Sequence, residues 1–397
     1  MNTGTPGGIK FGMANINPTN ESAYEDDLRI ISRKASKQDL ILYFGREEFS
    51  DNSKYQFLCA VAQPGGHRHV WCCFNKGLIQ ELRRRGLEAF DLGENVNRTI
   101  QLLLRAKIAV FTVNPAESLK SRIFLAALAG AQKVQLWHGI GIKRMEMQNI
   151  ELKNFLDLPS VSKMRWATEI DCIVSPSKPF DRHWRETFGV ERVIRAGYPR
   201  NEVLLRKASE LESINAPAGA IKESSRRKVL IVPTWGAGET HWSKHVESIC
   251  EVSRRHDVDI YLKPHPYEAV VASKHLSVAG GNLTVLPATM DIYPLLNRFC
   301  CMITDHSSMA FDVFLLDMPL IFLKPNDPRF YMTEMLEPKV GPTIDTFDDL
   351  RRFPTLLEEA AQCRENRLLA ARKYFETPPL EASRTIHAAI MQLSRPT

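Results

Sequence analysis

Three short stretches, each at the end of an apolar run, carry side chains suited to moving a proton or holding a phosphate group. They are Trp137-His138-Gly139, Lys263-Pro264-His265-Pro266 and Thr304-Asp305-His306-Ser307-Ser308. A His side chain titrates close to neutral pH and serves well as a general base. Serines at the start of a helix, together with its N–H groups, suit a phosphate. In open α/β sheets ligands bind outside the carboxyl ends of strands, so the three stretches predict a ligand site.

Each stretch also has a purely structural interpretation. His138 could cap the end of a strand, the prolines around His265 could simply form a turn, and Ser308 could be a helix cap. Two other signals are weaker. Asp257-Val258-Asp259 has the form of a metal-binding sugar-nucleotide motif but precedes a strand, and His67 and His69 stand near two cysteines at a spacing that gives no zinc site.

Composition restricts the class of protein. The 397 residues are 44% hydrophobic and 25% charged, which is typical of a globular protein with room for two domains. The net charge of +6 fits an anionic substrate or membrane surface and is too small to argue for nucleic acid. We expect a cytoplasmic address, because no apolar run reaches about 18 residues, the first 20 residues lack a signal-peptide pattern, and the eight cysteines form no C-x-x-C pair.

The chain divides into two halves of similar pattern. Residues 37–206 alternate apolar runs with amphipathic stretches, which predicts βαβ units and a parallel sheet. Residues 228–375 repeat this alternation after a predicted linker at 207–227, which contains Ala-Pro-Ala-Gly and Glu-Ser-Ser and lacks apolar periodicity. Residues 1–36 are predicted to be a polar arm, loose or forming a short helix, and 376–397 a C-terminal helix. Two such domains would enclose a cleft with the three stretches on its walls.

Several predicted elements position these stretches. Residues 134–137 are predicted to form the strand that leads to His138, residues 117–129 a helix before it, and residues 308–316 an amphipathic helix that begins at the paired serines. The sequence contains neither G-x-x-x-x-G-K-[ST] nor G-x-G-x-x-G, so ATPase and dehydrogenase functions lack their motifs.

With these residues in view, the chain resembles the CDP-glycerol glycerophosphotransferase family, which includes teichoic-acid primases and polymerases and capsule polymerases. The resemblance runs from about residue 45 to about residue 330. It consists of six motifs in order: Asp51-Asn52-Ser53-Lys54-Tyr55; Trp137-His138-Gly139 with Lys143; Gly197-Tyr198-Pro199-Arg200-Asn201; Pro233-Thr234-Trp235; Lys263-Pro264-His265-Pro266; and Thr304-Asp305-His306-Ser307-Ser308 leading into Phe311-Asp312.

The resemblance implies an α/β fold of the GT-B type, with a Rossmann-like acceptor domain at 37–206 and a Rossmann-like nucleotide-donor domain at 228–375. It implies transfer of a polyol phosphate from CDP-glycerol or CDP-ribitol to an acceptor hydroxyl, with release of CMP. The acceptor would be a polyol-phosphate, glycan or lipid-linked chain of a cell wall or capsule, reached at an anionic membrane surface. No cofactor is implied, and Mg²⁺ is left open.

The same resemblance implies roles for individual residues. His138 and His265 are the expected catalytic residues, with His138 as the base on the acceptor side. The donor pyrophosphate is expected at Thr234, His265, Ser307 and Ser308. Further candidates for substrate binding are Lys143, Arg200, Asp312, Asn52 and Ser53.

Two positions depart from the family pattern, and two other functions stay open. Ile140-Gly141 replaces the usual Thr-Pro and bears on acceptor placement, and His306 replaces a usual Tyr. One alternative function is a GT-B glycosyltransferase that uses a nucleotide sugar such as CMP-sialic acid. The other is a non-catalytic nucleotide-binding protein, which would be favoured if His138 and His265 lay far from any shared cleft.

Overall fold

The computed structural model describes residues 18–141, 169–234, 242–268, 283–305, 307–324 and 333–394. Lys143, Trp235 and His306, which the sequence pattern singles out, lie outside these ranges. The first half forms a seven-stranded parallel sheet of β1 (Leu40–Phe44), β2 (Arg68–Cys73), β3 (Ala89–Asp91), β4 (Ile108–Phe111), β5 (Gln132–Gln135), β6 (Cys172–Ser175) and β7 (Arg192–Arg195). Its helices are α1 (Pro18–Lys34), α2 (Asp51–Val61), α3 (Lys76–Arg84), α4 (Val96–Arg105), α5 (Pro115–Leu119), α6 (Arg122–Ala127) and α7 (Lys178–Phe188).

The second half forms a six-stranded parallel sheet. Its strands are β8 (Arg227–Val232), β9 (Val258–Leu262), β10 (Leu283–Val285), β11 (Cys301–Thr304), β12 (Leu320–Leu323) and β13 (Thr343–Ile344). Its helices are α8 (Val246–His256), α9 (Met309–Asp312), α10 (Phe353–Gln362) and α11 (Arg364–Tyr374), and α12 (Ala382–Leu393) ends the described chain. Most central strands are buried along their whole length, as parallel strands covered by helices on both faces must be.

Both sheets are doubly wound. Their strand orders are β3-β2-β1-β4-β5-β6-β7 and β10-β9-β8-β11-β12-β13, so the direction of winding reverses between β1 and β4 in one and between β8 and β11 in the other. Loops that leave the carboxyl ends of strands at such a reversal diverge to opposite faces and open a crevice for ligands. The loops after β1 and β8 therefore stand at the two natural binding positions of the fold.

Three predicted elements differ from the structure. The strand before His138 ends at Gln135 and not at Trp137, because Trp137 turns into the left-handed region with φ +56°. The helix predicted at 117–129 is divided into α5 and α6 by Lys120, whose φ is +53°. The helix predicted at 308–316 is the four-residue α9 followed by a 3₁₀ turn. The strand β3 and the helix α4 were not among the predicted elements.

Both ends of the described chain pack on the first sheet's domain. In α1, the Ser32 hydroxyl donates to the carbonyl of Ala127 at 2.6 Å, so this part of the predicted arm is a 17-residue docked helix. In α12, Ile386 and Ile390 are fully buried in the core around the first sheet although the helix follows the second one. None of the helices in the described ranges has the length and apolarity that crossing a bilayer requires.

Candidate active site

A cleft of about 790 Å³, counting the space open to solvent, lies between the two sheets at their carboxyl edges. His138 lies on the wall from the first half of the chain and His265 on the wall from the second. The structure thus brings both histidines to one cleft, together with Arg200, Thr234, Ser307 and Ser308. The remaining lining residues are Arg46, Glu48, Ser50, Asp51, Val232, Pro233, Lys263, Pro264, Pro266, Ala288, Thr289, Met290, Asp291, Ile292, Tyr293 and Met309.

The backbone groups of Trp137, directly before His138, are held by side chains rather than by a neighbouring strand. The carbonyl of Trp137 accepts from Asn52 Nδ2 at 2.7 Å and from Thr112 Oγ1 at 3.1 Å. The Trp137 N–H donates to Gln135 Oε1 at 3.0 Å. These bonds satisfy the buried backbone groups that the sheet leaves unpaired and stabilise the left-handed turn that directs His138 into the cleft.

The His138 ring lies beside a backbone carbonyl. Its Nδ1 is 3.3 Å from the carbonyl oxygen of Thr112, and a carbonyl can only accept a hydrogen bond. In the neutral tautomer that donates to this carbonyl, the proton is on Nδ1 and the basic lone pair is on Nε2. This tautomer is the one that a general base acting through Nε2 requires.

Gly139 is a position where only glycine fits. Its φ is +112°, and a Cβ there would lie 2.2 Å from Arg200 Nη2 and 3.1 Å from Ser308 Oγ. The Ser308 hydroxyl also donates to the carbonyl of His138 at 3.2 Å. The backbone beside His138 is therefore in direct contact with a residue of the second domain.

Arg200 lies in a buried network of charges that joins the two domains. Nη1 donates to Asp51 at 2.8 Å and Nη2 to Asp312 at 2.5 Å, and the guanidinium lies 4.5 Å from the centre of the Tyr293 ring. Burial alone would lower the pKa of Arg200, but the carboxylate of Asp312, with that of Asp51, holds it well above its ordinary value. Arg200 therefore stays charged, and its two terminal nitrogens are both bonded to carboxylates.

Asp312 is saturated by the same network. It accepts from Arg200, from Asn201 Nδ2 at 2.9 Å and from the Tyr293 hydroxyl at 2.5 Å, and it has no exposed surface. Asn52 and Ser53 are also fully buried, and neither they nor Asp312 line the cleft. Asn52 instead links two segments of the first domain, because its Oδ1 accepts from the N–H of Arg200 at 3.1 Å while its Nδ2 donates to the carbonyl of Trp137.

The cleft wall from the second half of the chain includes a bridge across the winding reversal of the second sheet. Thr234 follows β8 and Asp305 follows β11, and the Thr234 N–H lies 3.0 Å from both carboxylate oxygens of Asp305. The Thr234 hydroxyl donates to the same carboxylate. Both donors of Thr234 are therefore directed at Asp305, and its hydroxyl faces a ligand only as an acceptor.

Lys263, which the sequence analysis named in the His265 motif without giving it a role, begins the His265 loop and is 7% exposed. Its Nζ donates to the carbonyls of Ala288 at 2.5 Å and Pro264 at 3.3 Å, which fixes the loop to the segment after β10. Burial lowers the pKa of Lys263 to about 8, although the carboxylates of Glu48 and Asp291 oppose the shift. The cleft therefore holds a cation that titrates just above neutral pH.

Ser307 and Ser308 stand at the start of the short helix α9. The Ser307 Oγ accepts from the N–H of Met309 at 3.3 Å, whereas Ser308 is bonded to the carbonyl of His138. Because α9 has only four residues, the helix end expected to attract a phosphate is a single turn, and the serines themselves are the more direct polar groups.

Other charged lining residues were also missed. Arg46 and Glu48 follow β1 at its winding reversal, and burial raises the pKa of Glu48. Asp291 and Tyr293 follow β10 on the opposite wall. The one available signal was position, since each follows the carboxyl end of a strand. No group of three or more His, Cys, Asp or Glu side chains in the described ranges is arranged to hold a metal ion.

Comparison with known proteins gives a consistent set of relatives. A family model described as CDP-Glycerol:Poly(glycerophosphate) glycerophosphotransferase matches residues 28–392. The chain is 22% identical over 301 residues to a teichoic acid poly(glycerol phosphate) polymerase of Staphylococcus epidermidis, covering 70% of this chain and 39% of the relative. It is 26% identical over 206 residues to a teichoic acid glycerol-phosphate transferase of Staphylococcus aureus, covering 48% and 51%. The chain thus spans about two fifths to half the length of these curated relatives.

Solved structures resemble the whole described fold. The wall teichoic acid polymerase TagF, in a variant with CDPG, has a TM-score of 0.71 at 19% identity and covers 94% of both chains. A UDP-GlcNAc 2-epimerase from Neisseria meningitidis has a TM-score of 0.55 at 12% identity, over 89% of this chain and 99% of its own. These similarities confirm the predicted α/β fold of the GT-B type with two Rossmann-like domains.

The contact at Gly139 yields a prediction. We expect Gly139→Ala to lower the free energy of unfolding by about 1–3 kcal/mol more than Gly86→Ala, because its Cβ would enter the space of Arg200. Gly86 is a matched control, since its φ is +76° and a Cβ there meets nothing within 4 Å. Urea denaturation followed by circular dichroism measures both. Equal losses of unfolding free energy in the two variants would mean that Arg200 moves aside at no measurable cost.

Proposed function

The chain belongs to the CDP-glycerol:poly(glycerophosphate) glycerophosphotransferase family, and we propose that it transfers glycerol phosphate from CDP-glycerol to an acceptor hydroxyl and releases CMP. The observation that carries this proposal is the placement of His138 and His265 on facing walls of one cleft. The curated relatives support it further, since both are named for glycerol phosphate chemistry in teichoic acid synthesis.

In the proposed reaction, Nε2 of His138 takes the proton of the acceptor hydroxyl. The acceptor oxygen then attacks the β-phosphorus of the donor, and the bond from that phosphorus to the bridging oxygen breaks. The products are a new phosphodiester and CMP, which carries the negative charge of the bridging oxygen. Correct placement of a general base of this kind contributes about 10²–10⁴-fold to the rate.

We propose that hydrogen-bond donors of the second domain stabilise the negative charge that develops on the bridging oxygen. His265 and the hydroxyls of Ser307 and Ser308 lie on that wall, and the ammonium of Lys263 stands beside them. Fixed donors at a developing negative charge are worth about 10²–10³-fold each in turnover. Thr234 contributes through its bond to Asp305, which ties the loop after β8 to the loop that carries Ser307 and Ser308.

Product analysis tests the proposal as a whole. The full chain is incubated with CDP-glycerol, CDP-ribitol or CMP-sialic acid and a glycerol-phosphate primer, and products are identified by mass spectrometry. We expect CMP and a primer longer by one or more glycerol phosphate units with CDP-glycerol. Ribitol phosphate transfer would correct the donor, sialic acid transfer would make the chain a glycosyltransferase, and no acceptor-dependent product from any donor would contradict the transferase proposal.

The two histidines should have separable effects. We expect His138→Ala to lower kcat by about 10²–10⁴-fold, with an unchanged dissociation constant for CDP, because it removes a base and no diphosphate contact. We expect His265→Ala to weaken CDP binding as well as turnover, because it removes a donor to the diphosphate. Steady-state kinetics and calorimetric CDP titration measure both. Weaker CDP binding only in His138→Ala would exchange the two assignments.

Lys263 makes donor binding dependent on pH. Its ammonium attracts a diphosphate and is neutralised as the pH rises through about 8. CDP affinity should therefore be highest below pH 8 and fall above it, and a Lys263→Met variant should bind weakly throughout without that step. Calorimetric titration between pH 7 and pH 9 measures the difference. If CDP affinity fell equally with pH in both proteins, the titrating group would be one other than Lys263.

We also propose peripheral contact with an anionic membrane, where lipid-linked acceptors would be found. Two basic clusters, Arg83-Arg84-Arg85 and Arg226-Arg227-Lys228, are candidates for this contact. They are partly paired, since Arg84 and Arg85 contact Glu81, and Arg226 contacts Asp257. Each remaining charge near an anionic surface would contribute about 1 kcal/mol. Sedimentation with anionic and neutral liposomes at low and high salt tests this. Binding only to anionic liposomes at low salt is expected, and recovery in the supernatant in all four conditions would contradict it.

A further inference from the structure

A second buried contact between the domains centres on Lys54 in α2. Its Nζ donates to Asp291 Oδ2 at 2.8 Å and to the carbonyls of Glu212 and Ile214 at 2.6 and 2.8 Å. The side chains of Lys54 and Asp291 are 0% and 1% exposed. An ammonium group has three N–H donors, and here each has a partner. Lys54 therefore joins the first domain to the second domain and to the predicted linker at 207–227 (the connecting segment).

Tyr55 reinforces the same contact. Its hydroxyl donates to Asp291 Oδ2 at 2.7 Å, and the other oxygen of Asp291 accepts from the N–H of Tyr293 at 3.1 Å. From the connecting segment, Asn215 accepts the N–H of Asp291 at 2.9 Å and donates to the carbonyl of Thr289 at 2.7 Å. Asp291 is therefore held from three directions.

These contacts converge on residues 288–293, which form part of the cleft wall in the second domain. Lys263 of the His265 loop holds the same segment from the other side through the carbonyl of Ala288. The segment leaves the end of β10, an edge strand of three residues with one neighbour in the sheet. Its position in the cleft therefore depends on side chains outside its own strand.

We infer that Lys54 and Tyr55 of the first domain are positioning residues for the nucleotide donor, because they hold the 288–293 wall in place. The inference rests on the proposed function for the identity of the donor, and on the contacts above for the positioning. A buried ion pair often adds little stability compared with an apolar pair of the same volume. We therefore explain the pair of Lys54 and Asp291 by its effect on the position of the 288–293 wall. Burial lowers the pKa of Lys54 and the carboxylate of Asp291 opposes this.

The test uses Tyr55→Phe in the full chain, because this change removes one hydrogen bond and leaves both buried charges paired. Lys54→Met would leave the carboxylate of Asp291 without its cation and risks unfolding, and Asp291 itself lines the cleft. Tyr261→Phe is the matched control. The Tyr261 hydroxyl accepts from the N–H of Lys222 at 3.0 Å in the same connecting segment, and Tyr261 does not line the cleft.

Two measurements are made on each protein. Amide hydrogen exchange of the peptide containing residues 288–293 reports on the wall without any ligand, and calorimetric titration with CDP gives the dissociation constant and the number of sites. We expect Tyr55→Phe to speed exchange in this peptide and to raise the dissociation constant, each by roughly tenfold, as the loss of a hydrogen bond to a charged group does. The number of sites should stay the same, which separates positioning from a loss of folded protein.

Unchanged exchange at 288–293, or an unchanged dissociation constant, would overturn the inference. Equal effects of Tyr261→Phe would do the same, since they would show a general loosening. If the parent chain bound CDP but transferred nothing, the proposed function would fail while the positioning stood. If the parent chain bound no CDP, the proposed donor would fail, and the exchange data would decide whether Tyr55 holds the wall.

Discussion

The buried pair of Arg200 and Asp312 is the contact on which the geometry of the cleft depends. It joins the two domains with no access to solvent for the carboxylate, so both charges must be compensated locally. Asp51, Asn201 and Tyr293 supply that compensation. Removing Arg200 or Asp312 alone would leave the other charge buried without its ion-pair partner, which typically costs about 3–5 kcal/mol. The network therefore favours one relative placement of the domains, and in that placement Arg200 packs against the backbone beside His138.

The chemistry follows from where the two sheets reverse their winding. One wall of the cleft comes from loops of the first sheet and the other from loops of the second. The base and the diphosphate-binding groups that we propose then lie on opposite walls of the cleft, an arrangement that suits a transfer between two substrates. The left-handed turn at Trp137 sets the direction of His138, since it ends β5 early and directs the side chain toward the opposite wall.

Much of the fold was predictable because its signals are local. The apolar runs Leu40–Phe44 and Leu320–Leu323 coincide with β1 and β12, and the alternation of such runs with amphipathic stretches predicted two parallel sheets. The motif order led to His138 and His265. The burial of Arg200 and Asp312 was not predictable, because it depends on partners more than a hundred positions away. The early end of β5 depends in the same way on Asn52, which is 85 positions from Trp137.

In the candidate site, too, the sequence indicated which residues are present but not which partners they contact. Thr234 was selected as a residue that binds the donor pyrophosphate, and the sequence could not show that its own hydrogen-bond donors are directed at Asp305, 71 positions away. Glu48 and Asp291 were missed because a lone carboxylate after a strand carries no pattern. We propose that His138 faces a donor diphosphate held by the second domain. A crystal structure of the His138→Ala variant with CDP-glycerol would locate that diphosphate. We expect it against His265, Ser307 and Ser308, with the glycerol phosphate facing position 138, whereas a nucleotide bound outside this cleft would refute the proposal.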